Sequence, residues 1–132
     1  MPGFVVDRCM KVLNRYAKPL SKAKILILGV AYKKDIDDYR ESPVLTIVDL
    51  FEKYQADFTV VDPYVERFRI GERWYETEPL SEQLLEEADL VLITTDHTKF
   101  DFEWIAQKAK VILDTRNALK DVSEIKADYE KL

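Results

Sequence analysis

The chain has 132 residues, 47% of them apolar and 34% charged, with a net charge of −5, which suits one domain with a sizeable core. The acidic balance disfavours nonspecific binding to nucleic acid or anionic membranes, both of which need a positive face, but leaves room for a local basic pocket. Cys9 is the single cysteine, so no internal disulfide is expected and a reducing cytoplasm is implied; no apolar run approaches the roughly 18 residues of a membrane span, and the first residues lack a signal-peptide core.

In chain order, Val5, Cys9, Val12, Leu13 and Tyr16 recur at helical spacing and predict a helix over residues 4–16. It precedes the first strand and is expected to be an appendage. Lys18-Pro19-Leu20-Ser21 marks the boundary, with residues 1–18 on one side and the α/β domain over 19–132 on the other. Residues 24–28, KILIL, form the short apolar run of a strand covered on both faces, ended by Gly29. A charged loop follows to Ser42, an expected N-cap, and Pro43, an expected first helical residue. The helix should run over 43–54, burying Val44, Ile47, Val48 and Phe51. Residues 58–61 read as the second strand, closed by Asp62-Pro63, which makes a right-handed βαβ unit.

Residues 64–78 place Phe68, Ile70, Trp74 and Tyr75 among charges around Gly71, fitting a small hairpin or an irregular loop. A helix over 79–88 with Leu80, Leu84, Leu85 and Ala88 inward leads to the third strand, 89–93, and to Thr94-Thr95-Asp96-His97. Asp101 should cap a helix to about residue 108 that buries Phe102, Ile105 and Ala106. Residues 111–113 form the fourth strand, followed by Asp114-Thr115-Arg116-Asn117. The tail from Asp121 is polar, with helix as the expected form. Strand and helix alternate four times, so the fold class is α/β, a Rossmann-like doubly wound parallel sheet. The loops after Gly29, Ile93 and Leu113 then share one sheet edge, where ligands bind in such folds.

The first of these loops carries the densest chemistry. Gly29 is followed by Val30, Ala31 and Tyr32, so the three-glycine dinucleotide fingerprint is absent. Lys33 and Lys34 suit a phosphate as point charges, or form a solvated surface pair. Asp35, Asp37, Asp38 and Glu41 oppose an anion; they orient Lys33 and Arg40 or cap the next helix. Arg40 is expected to pair with Glu41 or Asp37, or to face a ligand. Arg116 offers a planar fork for phosphate or carboxylate, or faces solvent. His97, beside Asp96, is the only histidine and is expected to be structural or to line a ligand. No second histidine or cysteine supplies a zinc set. Cys9, on the apolar stripe of a helix, behaves as a small buried hydrophobe.

The stretch from Gly29 to Pro43, GVAYKKDIDDYRESP, resembles the C-terminal UDP-binding domain of the UDP-glucose/GDP-mannose dehydrogenase family. Its wording is most similar to the bacterial branch acting on UDP-N-acetylhexosamines, and the resemblance runs over about residues 4–122. Intact members are NAD-dependent UDP-sugar 6-dehydrogenases of polysaccharide biosynthesis. They oxidise the C6 alcohol to a carboxylate in two hydride transfers, with an N-terminal Rossmann domain holding NAD. A central region supplies a Gly-Gly-x-Cys-x-Pro nucleophile and a long dimerising helix. The resemblance implies that residues 1–18 end that central region and that Lys33 contacts the nucleotide sugar with Tyr32 lining the same site. It further implies that Arg116 serves the substrate or interdomain site, that Arg40 points to NAD, and that Lys34 only supports. The setting of Cys9 does not match the nucleophile, so no catalytic residue is expected here, and the chain alone should carry out no oxidation. Its expected partners are a UDP-sugar and the remaining domains of a homo-oligomeric parent; UDP-glucose, UDP-N-acetylglucosamine and UDP-N-acetylmannosamine remain open. The alternative is a non-enzymatic module, either a stand-alone nucleotide-binding regulator or a receiver-type domain. A receiver needs an acidic pair right after its first strand and an aspartate after its third. Asp96 supplies the latter, but the first strand ends in Gly29-Val30.

Overall fold

A computed structural model describes residues 2–132. The apolar run becomes β1, Lys24–Leu28, second strand of a five-stranded sheet. Its neighbours are β2, Asp57–Val61, at the edge and β5, Leu90–Ile93, on the other side. Then come β6, Val111–Asp114, and β7, Asp128–Lys131, all parallel. The order β2-β1-β5-β6-β7 reverses direction between β1 and β5, so the loops after these two strands flank the topological switch point.

Successive side chains point to opposite faces, and the core divides accordingly. Ile25, Ile27, Leu90, Leu92, Val111 and Leu113 face one layer, made by α1, Pro2–Asn14, and α2, Val44–Lys53. Leu26, Leu28, Val91, Ile93 and Ile112 face the other, made by α3, Glu82–Glu87, and α4, Phe102–Lys108. Each such side chain fully buried is worth roughly 1.5–3 kcal/mol relative to exposure. The caps follow the sequence: Ser81 and Asp101 accept the N–H of Leu84 and Trp104. Ser42 Oγ accepts the N–H of Val44, and Pro43 already has helical dihedrals of −64° and −16°.

Three expectations change. Far from hanging on the domain, α1 belongs to its main core, with Val6, Cys9, Val12 and Leu13 at most 1% exposed. Tyr16 lies beyond the helix end and is exposed, its hydroxyl donating to Asp128. The polar tail is not a helix but carries the fifth strand, β7, on which Glu130 meets Arg8 at 2.6 Å and Arg15 at 3.1 Å. Residues 64–78 do form a hairpin, β3 (Arg67–Ile70) against β4 (Arg73–Glu76), in which Phe68 is fully buried and stacks on Tyr75.

Candidate functional site

At the carboxyl edge the residues that follow β1 and β5 pack tightly against each other. Gly29 has φ +102°, and a Cβ built on it would lie 2.3 Å from Thr95 Cβ and 2.6 Å from Thr95 Oγ1. Glycine is required there for both reasons. Thr94 Oγ1 donates to the Gly29 carbonyl at 2.5 Å, and Thr95 Oγ1 to that of Ala31 at 2.9 Å. The space beside Gly29 is thus filled by a threonine rather than open to a pyrophosphate.

Under the charged loop lies a buried polar pair. Asp62, at the end of β2, is 5% exposed and His97 is fully buried. Asp62 Oδ2 accepts the backbone N–H of Val30 at 2.8 Å and of Ala31 at 3.0 Å, and Oδ1 that of Tyr64 at 2.9 Å. The Asp35 N–H donates to His97 Nδ1 at 2.8 Å. The ring proton therefore sits on Nε2, which donates to Asp62 at 2.9 Å. Burial pushes the Asp62 carboxyl up, but the bonds from His97 and from three backbone N–H groups outweigh it and hold it below the ordinary carboxylate range. Asp35, at φ +64°, closes the arrangement by accepting the Thr98 N–H at 2.7 Å and its hydroxyl at 2.5 Å.

This pair is what sequence reasoning missed. From the residues alone Asp62 closes a strand, and His97, beside Asp96, is structural or lines a ligand. The available signal was a carboxylate ending one strand and a lone histidine following another, on the same edge.

The predicted site residues all lie on loops of that edge. Tyr32 is 42% exposed, its N–H donates to the Asp38 carbonyl at 2.8 Å, and Lys33 Nζ sits 5.8 Å from its ring centre. Lys33 and Lys34 are both exposed. Arg40 pairs with neither Glu41 nor Asp37. It grips Asp38 through two nitrogens at 3.0 Å each and is otherwise in solvent. These bonds from Arg40 pull the Asp38 carboxyl down to about 2.

Arg116 is held at its stem, Nε donating to the Thr94 carbonyl at 2.9 Å, while its outer nitrogens make no hydrogen bond among the described residues. It lines a recess of about 250 Å³ with Phe4, Val44 and Thr94, between the starts of α1 and α2. Lys33 does not line that recess. A larger cavity, about 450 Å³, lies beyond Asp62 between Pro63, Leu80, Phe100 and Trp104 and includes none of the predicted residues. Cys9 is enclosed in the core, and burial pushes its thiol up to about 12. For a receiver-type module the positions after β1 are wrong, since Val30 and Ala31 are apolar and fully buried.

The model of the UDP-glucose/GDP-mannose dehydrogenase family, UDP binding domain, matches residues 26–121. The UDP-N-acetyl-D-mannosamine dehydrogenase of Pyrococcus horikoshii is 32% identical over 126 residues, covering 92% of this chain and 28% of the relative. The NDP-N-acetyl-D-galactosaminuronic acid dehydrogenase of Ralstonia solanacearum is 31% identical, covering 87% and 26%. Among solved structures, UDP-D-ManNAc dehydrogenase from Pyrococcus horikoshii aligns with a TM-score of 0.77 at 29% identity, over 98% of this chain and 30% of that one. The UDP-N-acetyl-mannosamine dehydrogenase of S. aureus aligns with a TM-score of 0.74 at 28% identity, over 98% and 30%. The chain therefore spans little more than a quarter of the length of these curated relatives. With the family model running through β1, the charged loop and β6, the chain belongs to the UDP-glucose/GDP-mannose dehydrogenase family, as its UDP binding domain.

Proposed function

We propose that this chain binds the UDP part of a UDP-sugar and is the C-terminal part of an NAD-dependent UDP-sugar 6-dehydrogenase. Its parent is a homo-oligomer, and residues 1–18 are the end of the parent's central region. The observation that carries the reading is the clamped first loop, which holds Tyr32 and Lys33 on the edge where ligands bind in open α/β sheets. Lys33 supplies a point charge to the pyrophosphate and Tyr32 an aromatic wall. Arg116 adds a guanidinium whose stem is fixed and whose outer nitrogens make no hydrogen bond among the described residues. Arg40, at the exposed far end of the loop, is the group that faces NAD bound by the rest of the parent.

NAD would supply the hydride acceptor. The β1 turn of this chain does not suit its pyrophosphate, because Thr95 fills the space beside Gly29. The residues present therefore bind and orient; none is placed for oxidation, and Cys9 is shut in the core.

Calorimetry with UDP tests the reading. Each charge-assisted contact is worth about 1.5–3 kcal/mol, so Lys33→Ala and Arg116→Ala should each weaken binding roughly 10- to 100-fold, at about 1.4 kcal/mol per tenfold. Lys34→Ala should do much less. No UDP binding by the wild type, or equal and small losses from all three variants, would reject it. The chain should also form no NADH from NAD and any UDP-sugar; activity that survives Cys9→Ala would show that it is not a binding part alone.

A further inference from the structure

One fully buried imidazole joins the places where the substrate loop is anchored. Both ring nitrogens of His97 are committed, Nδ1 to the Asp35 N–H and Nε2 to Asp62, which itself holds the N–H groups of Val30 and Ala31. Between these anchors only Tyr32, Lys33 and Lys34 remain. Asp35 takes a left-handed conformation, φ +64°, which a non-glycine residue keeps only when its surroundings hold it there. The rings of Tyr64 and Phe100 flank the imidazole, with centres at 4.8 and 5.7 Å.

We infer that His97 is a positioning residue for substrate binding: its unprotonated Nδ1 holds the Asp35 backbone N–H and so sets where Lys33 is presented. This rests on the reading of Lys33 as the phosphate contact. A histidine present only to satisfy buried Asp62 would need Nε2 alone. A positioning histidine needs Nδ1 as an acceptor. Asparagine and glutamine separate the two, since the asparagine amide falls near Nδ1 and that of glutamine near Nε2.

The wild type is measured first. Nitrogen–proton correlation of the imidazole should show the proton on Nε2 and a bare Nδ1; a proton on Nδ1 overturns the inference without any variant having to fold. Amide exchange at Asp35 comes next. Protection should fall at least roughly tenfold in His97→Gln, the loss of one hydrogen bond, and be largely kept in His97→Asn. Protection unchanged in His97→Gln overturns it. Then UDP affinity is compared in a cycle. His97→Gln should cost about tenfold in the wild-type background and nothing further on top of Lys33→Ala. Losses that simply multiply would mean His97 does not act through Lys33. If the wild type binds no UDP, the reading of Lys33 fails, while the tautomer and exchange results still decide whether the clamp exists.

Discussion

The loop between β1 and α2 has two charged halves of opposite construction. Residues 30–35 hang from side chains that arrive from other strands, Asp62 after β2 and His97 after β5. In residues 37–41 the backbone is tied in, the Asp38 carbonyl accepting the Tyr32 N–H and the Tyr39 ring packing on Phe68. The Arg40 side chain, however, closes only on Asp38, two positions away, and is otherwise in solvent. A group tied to distant strands has its place set in the frame of the whole domain. A group tied only to its neighbour moves with its own loop. The first half therefore suits a contact presented in a fixed position. The second suits one that lets go of Asp38 and reorients when something docks.

The harshest way to break this contrast is at its root. Gly29→Ala adds a left-handed strain to a collision with Thr95, and should cost about 3 kcal/mol or more of stability. Denaturant unfolding measures it; a loss under about 1 kcal/mol would mean that the β5 loop yields easily and the first half is not held from below.

Asp62→Asn is the next step down. It removes a buried carboxylate that accepts four hydrogen bonds, for an expected loss of about 2–3 kcal/mol. The pH dependence has a definite sign. The folded Asp62 carboxyl lies below its unfolded value, which is about 3.9. Its contribution is thus complete above that value and is lost as pH falls through the folded one. Urea titrations should show the gap between wild type and Asp62→Asn narrowing below about pH 4; a gap that widens in acid would contradict the assignment.

The smallest effect belongs to the second half. Arg40→Ala should leave the thermal midpoint unchanged within error, because an exposed pair contributes little. Its signature is local. The Asp38 carboxyl, held at about 2, should rise toward the ordinary range near 3.9 when followed by carbon NMR, stopping short of it because the backbone N–H of residue 40 still donates to it in the variant. No movement would show that Asp38 and Arg40 do not meet in solution.

Where residues declare themselves by apolarity or by caps, the fold was legible. The KILIL run gave β1, and Ser42-Pro43, Ser81 and Asp101 marked helix starts. β7 was not, because Asp128, Glu130 and Lys131 show no apolar pattern. An edge strand whose Glu130 is met by Arg8 of α1 and by Arg15 just past its end needs none. The place of α1 was misjudged for a related reason: its stripe was plain, but periodicity does not say which surface a stripe meets. At the site, the charged loop could be read from its own residues, whereas its fastening could not. Asp62 and His97 stand 35 positions apart and become partners only once β2 and β5 flank β1. The pairing of Arg40 with Asp38 rather than Asp37 turned on loop geometry that charge alone does not specify.

Cys9 has a use that follows from its burial. A thiol reacts as the thiolate, and this one is enclosed in the core with its ionisation pushed up to about 12. In the native protein it should ignore alkylating reagents, and since it is the chain's single cysteine, every modified molecule records one event. The labelling rate is then a clock for how often α1 lifts from the sheet. Read beside exchange in the β1 and β5 strands, that clock tells whether this layer detaches by itself or opens only when the whole domain does.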